Sequence, residues 1–270
     1  MKDKRVLYVS SEVIPYLPET EISSMSFEAP KMVNNNGGQI RIFMPRYGNI
    51  NERRHQLHEV IRLSGMNLVI NDLDMPLIIK VASIPKERMQ VYFIDNEDYF
   101  KRKATYADEE GNFFKDNDER AIFFAKGVIE TVKKLNWSPD IIHVHGWLAS
   151  FLPLYLRNYY GNEPLFENSK IVTSVYNQGF NGTLNAEVSN KIKFDAIEDE
   201  ALTPLDNPTF ENVMKIAINN SDAVIIGSKD ISEELETYIE SIDKPVLPYQ
   251  QMEDMEREYL DFYKTKVLGE

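Results

Sequence analysis

The chain contains no cysteine, which excludes disulfides, thiolate nucleophiles and cysteine-based metal sites. It has no apolar run approaching the roughly 20 residues of a membrane helix. The early run Val6 to Val9 is cut off by Ser10, Ser11 and Glu12, which no signal-peptide core tolerates, so a cytoplasmic protein is expected. Cationic charge is in short supply: 30 Lys+Arg stand against 43 Asp+Glu, a formal net charge of −13. Nucleic acid and anionic membrane both need a basic face, and neither is expected as a partner. No G-x-G-x-x-G occurs, since Gly179 and Gly182 stand alone, and no cofactor is expected. Only four histidines are present, His55, His58, His143 and His145. Their H-x-x-H and H-x-H spacings invite a zinc proposal, but the pairs lie about ninety residues apart with no assisting cysteine. Structural histidines are expected, and no metal.

What is present is 270 residues at 43% hydrophobic. That length allows one large or two modest domains, burying roughly 70 to 75% of the unfolded surface. Arg5 to Ser10 is a β-branched-rich run of the kind found in buried parallel strands. A second such run, Gln39 to Met44, follows Asn36-Gly37-Gly38, a helix stop, so residues 22 to 35 read as a crossover helix in spite of Pro30. Between residues 60 and 94, short apolar segments spaced by Asn71-Asp72 and Pro85-Lys86-Glu87 predict antiparallel strands or hairpins beside the parallel sheet. Residues 119 to 135 have apolar positions at helical spacing. Further strands are predicted at Asp140 to His145, Lys170 to Val175 and Ala223 to Ser228, with helices over about Leu148 to Tyr160 and over Phe210 to Asn219. A half-apolar helical tail runs from Met252 to Leu268. Strands alternating with helices in this rhythm predict a Rossmann-like, doubly wound, mostly parallel α/β sheet with a C-terminal helix packed on it. Ligands in such sheets lie beyond the carboxyl ends of the strands, so chemistry belongs to the loops after them.

Those loops carry Ser10-Ser11-Glu12-Val13-Ile14-Pro15, Pro45-Arg46-Tyr47-Gly48, His143-Val144-His145-Gly146-Trp147 and Tyr176-Asn177. In this order and spacing, over residues 5 to about 235, the sequence resembles the N-terminal catalytic domain of bacterial glycogen synthase and plant starch synthase. The resemblance implies one half of a two-domain GT-B fold. In that family the N-terminal domain binds the growing α-glucan and the other domain holds most of the ADP-glucose. Residues 1–250 are read as this catalytic-like domain. Residues 251–270, with Glu258-Tyr259-Leu260-Asp261-Phe262-Tyr263, resemble the family's last helix, which crosses back onto the N-terminal domain. The nucleotide-binding C-terminal domain is not recognised between them, and a length of half the family's argues against independent catalysis.

At the positions the family uses, the chain departs from its pattern. A Lys-Thr-Gly-Gly-Leu loop meets the sugar nucleotide in the family; counted back from Pro30-Lys31, Pro18-Glu19-Thr20-Glu21-Ile22 stands there. Proline brings no cation, and each partly buried glutamate would repel a diphosphate by about a kcal/mol or more. ADP-glucose binding is therefore not expected. His-x-His-Asp-Trp-His has become His143-Val144-His145-Gly146-Trp147-Leu148, so Gly146 and Leu148 replace an acid and an imidazole. Thr-Val-His-Asn has become Ser174-Val175-Tyr176-Asn177, and a phenol with a pKa near 10 does not match an imidazole.

Pro18, Gly146, Leu148 and Tyr176 are thus degenerate cleft positions, and no catalytic residue is assigned. Glu12, Tyr106, His145, Trp147, Tyr176 and Asn177 are the candidate glucan-binding residues. The aromatic run with Tyr99, Phe100, Tyr106, Phe113 and Phe114 reads either as a carbohydrate platform or as anchors into the core. The Tyr176 change fits drift as well as a new role. Three functions follow: a glucan-binding or regulatory domain without catalysis, bound to an α-glucan or maltooligosaccharide; a glucosyltransferase completed by another chain; or an interaction module. The last would pair with a protein partner or a second copy through the face a C-terminal domain covers in the family.

Overall fold

A computed structural model describes residues 1–270. Ten strands form the sheet: β1 (Arg5–Ser10), β2 (Gln39–Pro45), β3 (His58–Glu59), β4 (Met66–Ile70), β5 (Leu73–Ile84), β6 (Met89–Asp95), β7 (Ile141–His145), β8 (Lys170–Val175), β9 (Ala223–Ile226) and β10 (Val246–Leu247). The helices are α1 (Glu21–Asn35), α2 (Glu52–His55), α3 (Glu97–Phe100), α4 (Asn117–Leu135), α5 (Phe151–Arg157), α6 (Val188–Lys193), α7 (Asp199–Leu202), α8 (Phe210–Asn219), α9 (Glu233–Ser241) and α10 (Met252–Phe262). Strand order is β10-β9-β8-β7-β1-β2-β6-β5-β3, with β4 hydrogen-bonded to β5. The pairs from β10 through to β6 are all parallel, and antiparallel pairing is confined to β5 with β3, β4 and β6. The hairpins expected between residues 60 and 94 are therefore real, but β6 belongs to the parallel sheet itself.

The chain leaves β1 in one direction to β2 and returns on its other side as β7, which places the topological switch point between β1 and β7. The sheet is covered on both faces. Helices α4, α5 and α8 pack together on one, while α1 lies against β1 and β2 and contacts α10. Strands buried on both faces need continuous apolar runs, and Val6, Val9, Ile141, Ile142, Val172 and Ile225 are all fully or nearly fully buried.

Three local features place the cleft. Helix α1 opens with a capping box in which the Thr20 hydroxyl accepts the Ser23 N–H at 3.0 Å and Ser23 Oγ accepts the Thr20 N–H at 2.8 Å. It closes at Gly37 in the left-handed region, φ 79°. Pro30 sits buried inside the helix, where its ring removes one hydrogen bond without ending the element. The segment expected as a helix over Leu148 to Tyr160 starts instead as a 3-10 turn, Trp147–Ala149, and its α-helical part ends at Arg157. The tail is helical through Phe262 and finishes in a π-turn, Tyr263–Val267. Helices α6 and α7 and strands β3 and β10 carried no clear sequence signal, because each is too short to show a period; α9, with only Leu235 and Ile239 buried, offers a sparse one. No helix is long and apolar enough to cross a membrane.

Candidate functional site

The carboxyl ends of β1, β7, β8 and β9 converge at the switch point. At its base the gap between β1 and β7 is closed: the Ser11 N–H donates to the His145 carbonyl at 2.9 Å. Gly146 follows with φ 82° and ψ 155°, a conformation essentially reserved for glycine. A Cβ there would lie 2.4 Å from Ser11 Oγ. Gly146 is thus committed to its hydrogen by backbone and neighbour alike.

Glu12, 6% exposed, is the hub above this base. Its carboxylate accepts the Thr20 hydroxyl at 2.8 Å, the Tyr106 hydroxyl at 3.0 Å and the Gln178 amide at 2.9 Å. Those donors come from the start of α1, the segment between α3 and α4, and the loop after β8. One buried charge therefore ties three loops together without a cation, each bond being charge-assisted. A second carboxylate repeats the pattern at the rim. Glu21, the first residue of α1, accepts the Ser228 hydroxyl, whose oxygen accepts the Asn177 N–H at 2.9 Å. Pro18 and Glu19 are exposed at the tip of the same loop. The cation of the Pro45-Arg46-Tyr47-Gly48 block does not reach this centre, since Arg46 is held by Asp95 at 3.0 Å.

On the α1 face, His143 and His145 point the same way, as residues two apart in a strand must; their rings are 4.0 Å apart. His143 is satisfied on both sides, by Tyr263 Oη at 2.6 Å and Ser174 Oγ at 2.7 Å. His145 Nδ1 meets Tyr176 Oη at 2.7 Å, and its Nε2 is buried without a partner. Burial lowers the His145 pKa to about 3. Burial and the adjacent His145 lower that of His143 well below the ordinary value, so both rings are neutral at pH 7. Burial also raises the Tyr176 pKa well above its ordinary value. The Tyr176 ring lies against Gly227, where a Cβ would come within 2.4 Å of it. Chemically, this end of the cleft is a neutral, packed cluster. His/Asp/Glu groups able to hold a metal ion are absent from the chain.

An aromatic row borders the cluster. Trp147 meets Tyr106 at 4.9 Å, Phe180 at 5.0 Å and Phe113 at 5.6 Å, while Phe113 and Phe180 stack at 4.9 Å. Trp147 and Leu148 are buried, whereas Tyr106, Phe113 and Phe180 are half-buried. Tyr99 and Phe100 instead pack against Phe123 in the core. The aromatic run thus divides: Tyr99 and Phe100 are anchors, Tyr106 and Phe113 join the half-buried row, and Phe114 lies under the Arg102 guanidinium. Beside it lies a cavity of about 320 Å³ lined by Asn177, Phe180, Asn181, Phe210, Glu211 and Ser232.

Of the predicted residues, Glu12, Tyr106 and Trp147 come together on one side, and His145, Tyr176 and Asn177 on the other. Thr20, Gln178, Ser228 and Phe210 were not foreseen. Only Thr20 carried a legible signal, the Thr-x-x-Ser spacing of a helix start.

Comparison with known proteins supports the motif reading. The family model described as "Starch synthase catalytic domain" matches residues 5–244. The chain is 34% identical over 235 residues to glycogen synthase of Chlorobium luteolum, covering 87% of this chain and 47% of that one. It is 33% identical over 247 residues to glycogen synthase of Chlorobaculum tepidum, covering 91% and 49%. It spans about half the length of the curated relatives it matches. Among solved structures, the catalytic domain of starch synthase IV from Arabidopsis thaliana, bound to ADP and acarbose, has a TM-score of 0.74 over 93% of this chain and 52% of that one. Its sequence identity is 17%, so this likeness speaks for the fold. With motifs, family model and relatives in agreement, the chain belongs to the starch synthase catalytic domain family.

Proposed function

We propose that this chain is an α-glucan-binding member of its family whose cleft does not itself transfer glucose from ADP-glucose. The observation that carries the reading is the fate of the loop after β1. Glu12 in that loop and Glu21 at the start of α1 are fastened to the loops after β8 and β9, and no lysine or arginine is among the groups that meet there. A diphosphate entering this space would meet two carboxylates and no cation. A neutral sugar carries no charge for them to repel. The half-buried row of Tyr106, Phe113 and Phe180 offers apolar ring surface, and Asn177, Asn181 and Ser232 offer donors and acceptors for hydroxyls. Acarbose, bound by the starch synthase IV domain, is an oligosaccharide of the class that suits such a row.

The test is calorimetric titration of the purified chain with maltooligosaccharides and with ADP-glucose, followed by an assay of glucose transfer to glycogen. Oligosaccharide binding without ADP-glucose binding or turnover is expected. Turnover by the chain alone would overturn the reading. Neither binding nor turnover, together with a stable dimer, would replace it by an interaction module.

A further inference from the structure

On the flank of the molecule, between α2 and the β5–β6 turn, a cavity of about 600 Å³ is lined by Arg54, His55, Gln56, Ser83, Lys86 and Arg88. No carboxylate lines it, although acids outnumber bases by 43 to 30 in the chain. The acids on the same two elements are engaged elsewhere: Glu52 holds Lys80 at 2.7 Å and Glu87 holds Lys31 at 3.2 Å. Arg54, Lys86 and Arg88 are left without an ion-pair partner. These three cations surround one cavity.

The backbone points to the same place. Seven non-glycine residues of the chain have positive φ, and three of them, Gln56 (54°), Lys86 (70°) and Arg88 (55°), line this cavity. Each left-handed position costs an L-residue about 1 to 2 kcal/mol, and none of these three is the Asn, Asp or Gly that lessens the cost. Glu87 between them is drawn off to Lys31 on α1, so the turn separates its one acid from its two bases. His55 adds a ring lowered in pKa by partial burial and by Arg54, hence a neutral hydrogen-bonding group at pH 7.

We propose that this cavity binds a small ligand carrying two or more phosphate groups. Guanidinium forks match phosphate oxygens in pairs, and exposed arginines without acids offer such forks unoccupied. A volume of about 600 Å³ admits a small molecule. An extended polyanion would have to lie across the rest of a surface whose formal charge is −13, so a nucleic acid is disfavoured. The site is separate from the cleft and does not rest on the glucan reading.

The experiment is calorimetric titration of the full chain with tripolyphosphate at about 50 mM and about 200 mM sodium chloride, because exposed cations are screened by salt. Sulfate and a short single-stranded oligonucleotide serve as comparators. One site is expected, tighter at low salt, with sulfate at least about tenfold weaker, and a loss of about tenfold or more in the double variant Arg54→Gln/Arg88→Gln, which removes two charge-assisted contacts. That variant should keep its melting temperature and its maltooligosaccharide titration. If it melts early, Lys86→Gln alone is used and a weaker loss of the same sign is expected. Unchanged affinity in the variants, equal affinity for sulfate, preference for the oligonucleotide, or no binding at low salt would each overturn the proposal.

Discussion

The cleft and the flank treat charge in opposite ways. At the cleft, Glu12 and Glu21 are negative groups placed among hydroxyl and amide donors, and those donors are used up by the protein. At the flank, Arg54, Lys86 and Arg88 are positive groups with no carboxylate among the residues around them. A satisfied charge is part of the fold, and an unsatisfied one is available to a ligand. Removing groups at the cleft should therefore cost stability, and removing them at the flank should cost only binding.

The largest effect is expected where the family residue is restored. Gly146→Asp places a Cβ at φ 82°, 2.4 Å from Ser11 Oγ, and should destabilise the fold by about 3 kcal/mol or more in urea unfolding. Adding Ser11→Gly should recover part of the loss by removing the steric contact, though not the backbone strain. If Gly146→Asp alone is neutral, the base of the cleft is not the rigid closure described here, and a single reversion could reopen it.

Next comes the pH dependence of the histidine pair. Both folded-state pKa values are lowered, His145 to about 3, while an unfolded histidine titrates near 6.5. Below that value the unfolded chain takes up protons that the folded chain refuses, so this contribution to stability is complete above pH 6.5 and falls as the pH falls. Between pH 7 and pH 5.5 the pair should remove about 2 to 3 kcal/mol. His145→Gln, compared with wild type at both pH values, isolates its share of the slope, and an unchanged slope would mean that the ring is not held neutral. A smaller loss, about 1 to 2 kcal/mol, is expected from Tyr176→Phe, which takes the one partner His145 has and leaves both ring nitrogens unpaired. A neutral Tyr176→Phe would instead favour drift at this position.

Much of this was legible in the residues. The parallel strands could be read because burial on both faces favours continuous apolar runs, as in Val6 to Val9 and Ala223 to Ile225. The two histidines on one face follow from strand alternation alone. The partners could not be read: Glu12 meets Tyr106 from 94 residues away and Gln178 from 166, and nothing local in the sequence encodes such a meeting. The flank cavity was invisible for a related reason. Arg54 and Arg88 are ordinary surface residues until β3 and the β5–β6 hairpin bring α2 beside the turn, and an unmade ion pair leaves no trace in composition.

The smallest effect sharpens the comparison most. Arg54→Gln/Arg88→Gln should change stability by no more than about 0.5 kcal/mol, since exposed side chains without partners contribute little to the folded state. If anything, loss of two positive charges from a chain of formal charge −13 should destabilise slightly, through long-range attraction that added salt suppresses. Urea unfolding at low and high salt measures this directly. A loss as large as that from Tyr176→Phe would mean that the flank cations have hidden internal partners, and the distinction between a charge spent on folding and a charge kept for a ligand would fail. A near-zero change, beside a clear loss at the cleft, is the outcome that fits flank cations kept for a ligand rather than spent on folding.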